Sequence, residues 1–114
     1  MKIIGSAKED LNIEKRISIT PDITKKFTSL GFLINLEKNY AEHLNIDDNN
    51  YQNCGANISI SKKEVFEKSD IILKVNNPSL EEIDFIKKES ILIGQFDSNL
   101  NQNIINKLKE KNIK

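Results

Sequence analysis

Five short apolar runs divide this chain, each closed by a glycine or by a polar turn. Lys2–Gly5, Phe32–Leu36, Asn57–Ile60, Asp70–Val75 and Ile91–Gln95 are rich in Ile, Leu and Val. Apolar runs of about four to eight residues bounded by turn signals predict strands. The fourth run, Asp70-Ile-Ile-Leu-Lys-Val-Asn-Asn-Pro78, has the composition of a strand buried on both faces, as in parallel sheets. Between the runs lie helix signals. Thr20-Pro21-Asp22 predicts a helix start, with Thr20 as N-cap, Pro21 at the first helical position and Asp22 favourable to the dipole. Ile23, Phe27 and Leu30 share one face of that helix, and Gly31 is placed to end it in a left-handed cap. Asp47 predicts the cap of a short helix reaching Cys54 and stopped by Gly55. Ser61-Lys-Lys-Glu64 and Ser79-Leu-Glu-Glu82 are capping boxes, the second opening a helix whose buried face is Leu80, Ile83 and Ile86. A last helix, opened by Asn99 or Asn101, carries Ile104, Ile105 and Leu108.

Three stretches fit this rhythm less well. Ser6–Arg16 reads as a loop, Ile17–Thr20 as a short extended piece, and Glu37–Asn45 shows no clear period. Strand and helix otherwise alternate, which predicts an α/β fold: a parallel sheet flanked by helices in a flavodoxin-like or Rossmann-like three-layer domain. Crossovers in such a sheet are right-handed, and ligands sit beyond the carboxyl ends of the strands. Gly5-Ser6-Ala7, Lys74-Asn76-Asn77 and Gln95–Asp97 fall on that edge. Asn112-Ile113-Lys114 has the look of a further strand cut short, so the domain is expected to be truncated.

Composition narrows the class without naming an activity. The 114 residues are 38% hydrophobic and 30% charged, with 17 acidic against 17 basic side chains, which suits one domain with a single core. The basic residues are dispersed, so no nucleic-acid partner is expected. No apolar run approaches the roughly 20 residues of a membrane span, and the amino terminus has no signal-peptide core. Cys54 is the single cysteine, which points to a reducing compartment and no disulfide.

Candidate chemistry reduces to two cations. His43 is the single histidine and has no metal-type partner at a useful spacing, so no metal site is expected. Cys54 lies near a helix C-terminus, where the dipole disfavours a thiolate. GxGxxG and GxxxxGK loops are absent. Lys74 interrupts an apolar strand at the point where the chain turns out of the sheet. A lysine there either marks a site or snorkels into solvent. Arg16 either joins it in holding a carboxylate or phosphate, or makes a surface salt bridge with Glu9, Asp10 or Glu14. Taken alone, the salt bridge is the better reading.

The order of several short segments adds to this. Lys8-Glu9, then Glu14-Lys-Arg-Ile17 leading to Thr20-Pro21, then Leu30-Gly-Phe32, Cys54-Gly-Ala56 and Ile71–Pro78 follow one another at characteristic spacings. The set resembles the alanine dehydrogenase and NAD(P) transhydrogenase family over the whole chain. No segment is specific by itself; the ordered set is. Ala7 stands where the family has proline. The resemblance implies that residues 1–114 are the N-terminal part of the family's N-terminal domain, and that the GxGxxG nucleotide-binding domain lies outside this chain. It places Arg16 and Lys74 at two substrate-pocket positions of the alanine dehydrogenases, which use them for the pyruvate carboxylate and carbonyl. The dehydrogenases' catalytic histidine corresponds to Asp97, and a carboxylate replaces an imidazole near neutral pH only after a large upward pKa shift.

The transhydrogenase alpha subunit is therefore the branch the sequence resembles more. That resemblance implies a Re/Si-specific oxidoreductase whose full subunit binds NAD(H) and passes hydride to NADP on a partner subunit, coupled to proton movement. Its partners would be a beta subunit and a membrane domain, with a homodimer on the cytoplasmic face of the membrane. The present chain alone is expected to be inactive. An alanine dehydrogenase-type domain and a free-standing α/β regulatory or interaction module are the alternatives.

Overall fold

The apolar runs become five parallel strands: β1 (Ile3–Ser6), β2 (Leu33–Glu37), β3 (Asn57–Ser59), β4 (Ile71–Lys74) and β5 (Ile91–Gly94). The computed structural model describes residues 2–9, 16–75, 79–94, 102–111 and 113. Spatial order in the sheet is β3-β2-β1-β4-β5. The chain thus moves outward from β1 to β3, then returns to the far side of β1 for β4. This reversal makes the gap between β1 and β4 a topological switch point, where sheets of this kind form their crevices. Register there pairs Ile4 with Ile71 and Gly5 with Ile72.

The helices are α1 (Pro21–Ser29), α2 (Asp48–Asn53), α3 (Lys62–Lys68), α4 (Leu80–Phe85) and α5 (Gln102–Glu110), with a 3₁₀ turn at Glu42–Leu44. Strand side chains alternate between two cores. Ile4, Ile34 and Leu36 join Ile19, Tyr40, Ala41, Tyr51 and Ala56 on the face carrying α1 and α2. Ala7 and Ile72 join Val65, Phe66, Ile83 and Ile86 under α3 and α4, with Leu108 of α5 packed against them. Three layers result, as the sequence predicts.

Several terminators act as their residue types dictate. The Thr20 hydroxyl accepts the Ile23 N–H, and Pro21 occupies the first helical turn. At the other end of α1, the Gly31 N–H reaches Thr28 O and the Phe32 N–H reaches Phe27 O, both at 3.1 Å. Gly31 has φ +97°, and the edge-on Phe27–Phe32 rings supply the apolar contact of this Schellman motif. Gly55, with φ +105°, repeats the device after α2, where the Ala56 N–H bonds Tyr51 O. The Ser79–Glu82 capping box is complete in both directions.

Other expectations need correction. Leu30 is 72% exposed because it is the C-cap of α1 and has turned away from the face of Ile23 and Phe27. Leu80, at the start of α4, is 38% exposed, and the fully buried residues of this face are Ile83 and Ile86. Ile60 falls beyond β3 and is exposed. Ile17–Thr20 pairs with no strand, although Ile19 is fully buried. Asp47 is the N-cap residue of α2 without a side-chain cap bond; the neighbouring Asp48 carboxylate accepts the Asn39 N–H instead. Ser61 accepts from the Glu64 N–H, but the Glu64 carboxylate takes Lys68. Ile113 bonds Leu108 O through its N–H and packs on the second core; Asn112 and Lys114, the rest of the expected further strand, lie outside the described residues. The expected caps Asn99 and Asn101, and the side chains of Ile104 and Ile105, lie outside the described residues.

Candidate functional site

At the carboxyl ends of β1 and β4 the sheet places a charge where its core begins. Lys74 is the last residue of β4, on the same face as Ile72, and its side chain is only 4% exposed. It does not snorkel. The chain leaving β1 brings Glu9 across the switch point, and Glu9 Oε1 accepts from Lys74 Nζ at 3.1 Å. The second oxygen, Oε2, accepts the Val75 N–H at 3.0 Å. One carboxylate therefore neutralises the lysine and binds the backbone just past the strand. Glu82 lies 3.9 Å from Lys74 and is itself paired with Lys62 at 3.1 Å. Its other oxygen takes the Ser79 N–H, so the α4 capping box also holds this carboxylate beside the lysine. A buried ammonium persists in such a place only because it is paired and hydrogen-bonded.

Arg16 reaches the same place from the segment before α1. Arg16, Ile17, Ser18, Leu73, Lys74, Val75, Ile93 and Gly94 line one cleft of about 470 Å³. The two cations selected from the sequence thus line one cleft at the carboxyl ends of β4 and β5, Arg16 exposed at its rim and Lys74 with its side chain buried. Of the carboxylates near Arg16 in sequence, Glu9 directs its oxygens to Lys74 and Val75, and Asp10 and Glu14 lie outside the described residues. So do Asn76, Asn77, Gln95 and Asp97, which the sequence assigned to this edge.

Of the β1 edge, Gly5, Ser6 and Ala7 are buried. They offer no cradle to a dinucleotide: a side chain at Gly5 would strike Ser69 Oγ at 1.8 Å, so that space is already filled. Among the described residues, the first helix after β1 begins only at Pro21. A helix N-terminus directly after β1, the usual pyrophosphate seat, is therefore lacking at Gly5–Ala7. The described residues of this chain do not fit the pyrophosphate of a nicotinamide dinucleotide.

The hydrogen bonds behind Arg16 come from residues that carry no signal of their own in the sequence. Tyr40 accepts the N–H groups of Ser18 and Ile19 at 3.1 and 3.2 Å, and its hydroxyl lies 2.8 Å from Ser6 Oγ. Ser6 Oγ donates to Leu73 O at 2.8 Å. Tyr51 donates to Ile19 O at 2.9 Å, and the two tyrosine rings meet edge-on at 5.7 Å. Burial pushes both phenols above their ordinary value; for Tyr40 the hydrogen bonds with Ser6, Ile19 and Ser18 oppose this and the Glu9 charge adds to it. Tyr40 sits in Glu37–Asn45, whose polar composition hides two fully buried residues, Tyr40 and Ala41. Glu9 was legible in principle, since a lysine inside an apolar strand requires a carboxylate.

His43 is half-buried on the 3₁₀ turn, and Cys54 is a free cysteine at the C-cap of α2; neither lines the cleft. Among the described residues no group of three or more His, Cys, Asp or Glu is arranged to hold a metal, and no helix is long and apolar enough to cross a membrane.

Comparison with known proteins agrees with this architecture. Residues 5–114 match the family model described as alanine dehydrogenase/PNT, N-terminal domain. A transhydrogenase from Sinorhizobium meliloti superimposes with a TM-score of 0.89 at 28% identity, covering 98% of this chain and 33% of that one. NAD(P) transhydrogenase subunit alpha of Haemophilus influenzae is 32% identical over 111 residues, or 97% of this chain and 21% of its own length. An alanine dehydrogenase of Methanococcus maripaludis is 36% identical over 90 residues, or 79% of this chain and 24% of its own. The chain spans less than a third of the length of these two relatives.

Proposed function

The chain belongs to the alanine dehydrogenase/PNT family, and on that premise we propose that it serves the transhydrogenase branch, as the N-terminal part of an alpha subunit that exchanges hydride between NAD(H) and NADP(H). The observation that carries this reading is the make-up of the cleft. Arg16 and Lys74 face it, but among the described residues no histidine lines it. By the resemblance Asp97 stands where the dehydrogenase branch has its catalytic histidine, and the chain's single histidine, His43, belongs to the 3₁₀ turn after β2. Reduction of pyruvate to alanine needs a proton donor and acceptor near neutral pH, which an ordinary carboxylate does not provide. Hydride exchange between two nicotinamides needs none.

In this reading the chain's own task is to build one wall of the site. Its cleft takes a small anionic group between Arg16 and Lys74, while the dinucleotide cradle belongs to sequence outside residues 1–114. The whole protein would act as a Re/Si-specific transhydrogenase coupled to proton movement, with a beta subunit and a membrane domain as partners. It would be a dimer at the cytoplasmic face of the membrane. An alanine dehydrogenase-type domain is the second reading, favoured by the pairing of Arg16 with Lys74 on one cleft.

The test is to isolate the native assembly that contains this chain and to assay it with two substrate sets. Hydride exchange between NADPH and an NAD analogue, with no NADH oxidation by pyruvate and ammonia, is expected. NADH-dependent amination of pyruvate would assign the chain to the dehydrogenase branch instead. The 114-residue chain by itself should turn over neither set.

A further inference from the structure

The cleft holds its two cations on segments that are 58 positions apart in sequence, Arg16 and Lys74. Among the described residues, the backbone from Arg16 to Thr20 pairs with no strand. Two phenols bond its Ser18–Ile19 end. Backbone N–H groups only donate, so Tyr40 oxygen must accept from both Ser18 and Ile19. Its single proton then points at Ser6 Oγ, and Ser6 passes its own proton to the Leu73 carbonyl. This assignment gives each hydroxyl proton an acceptor, and it admits no other direction. The line runs from the Arg16 segment, through Tyr40 and Ser6, to the residue before Lys74.

We propose that Tyr40 is a positioning residue for the anion cleft: with Ser6 it ties the Arg16–Ile19 segment to the end of β4 and so sets Arg16 opposite Lys74. The proposal rests on the reading of the cleft as an anion site. Tyr51 supports the same segment from its other side by donating to Ile19 O. Because burial keeps the Tyr40 phenol protonated, the donor to Ser6 persists through the neutral range. A phenol spending all its bonding capacity on two segments that flank one cavity does more than fill a core, since phenylalanine would fill the same space without any of those bonds.

The test compares Tyr40→Phe with Ser59→Ala in the 114-residue chain. Ser59→Ala removes a buried bond to Asn35 on the opposite face of the sheet and serves as a control for general loosening. Oxalate is titrated while backbone amides are followed by NMR, and amide hydrogen exchange is measured in parallel. Tyr40→Phe is expected to weaken oxalate about tenfold and to speed exchange at Ser18 and Ile19 by a similar factor, whereas Ser59→Ala should change neither. Unchanged oxalate affinity in Tyr40→Phe overturns the proposal. If the unsubstituted chain binds no oxalate, the anion reading of the cleft falls, and exchange still decides the tether. Faster exchange confined to Ser18, Ile19, Lys74 and Val75 supports it; a uniform rise across both cores overturns it.

Discussion

The two faces of the sheet solve the same problem with different chemistry. The face under α1 and α2 buries its polar groups as neutral phenols, Tyr40 and Tyr51, whose hydroxyls bond to serine and to backbone. The face under α3 and α4 adds charge to neutral buried bonds such as Ser59–Asn35. Lys74 is paired with Glu9, Lys87 with Asp70 and Lys107 with Asp84, and Lys111 donates to the carbonyls of Ile83, Asp84 and Ile86 at the end of α4. Neutral bonds place a segment without placing a field, whereas the buried ion pair brings a cation to the cleft and a carboxylate to hold it. The cleft lies where the two solutions meet, with Arg16 steadied from the phenolic face and Lys74 from the charged one.

The sharpest way to break this contrast is to remove the charge that the second face relies on. Glu9→Ala leaves Lys74 buried without its closest carboxylate, and a cost of about 3–5 kcal/mol is expected. Urea unfolding would measure it. Combining Glu9→Leu with Lys74→Met should restore much of the loss, because replacing a buried pair by apolar groups is often neutral. A smaller effect is expected at the seam between the faces. Gly5 lies on β1 against Ser69 and Val65, and a Cβ there would meet Ser69 Cβ at 2.9 Å. Gly5→Ala should therefore cost about 1–3 kcal/mol by overpacking, read from the same unfolding curves.

The smallest effect sharpens the contrast through pH. The Lys87 bond and the Ile3 N–H hold the Asp70 carboxyl below its ordinary 3.8, and the Lys107 bond lowers Asp84 in the same sense. A depressed carboxyl contributes stability above its unfolded value and loses it as pH falls through the folded one. Asp84 is exposed and Asp70 partly so, so a modest loosening of the charged face is expected below about pH 4. Burial raises Tyr40 and Tyr51 above 10.0. Their contribution is complete below pH 10.0 and is lost as pH rises through the folded values. Amide exchange across a pH series should therefore show the α4 and β5 region opening first in acid and the Ser18–Ile19 region opening first in alkali.

Much of the fold was legible because local rules decide it. Thr20-Pro21, Gly31, Gly55 and the Ser79–Glu82 box fix helix ends within a few residues of themselves, and they act as their chemistry requires. What escaped was set by partners distant in sequence. Nothing near Leu30 says that the helix ends before it can be buried, and nothing near Tyr40 announces four neighbours drawn from Ser6, Ser18, Ile19 and Tyr51. The site was half legible. Arg16 and Lys74 stand out as cations in unexpected places, and they do share a cleft. Glu9 looks in the sequence like a partner for Arg16, because pairing with Lys74 across 65 positions depends on β1 and β4 being neighbours. Asp97, which the resemblance sets at the position of the dehydrogenases' histidine, lies outside the described residues.

The two branches differ in where a hydride goes, and an isotope follows it directly. The native assembly containing this chain is supplied with NADH deuterated at the transferable position of its nicotinamide, together with NADP, pyruvate and ammonia. Deuterium is expected on the nicotinamide of NADPH, with none at the α-carbon of alanine. Deuterium in alanine, with none in NADPH, would contradict the transhydrogenase assignment.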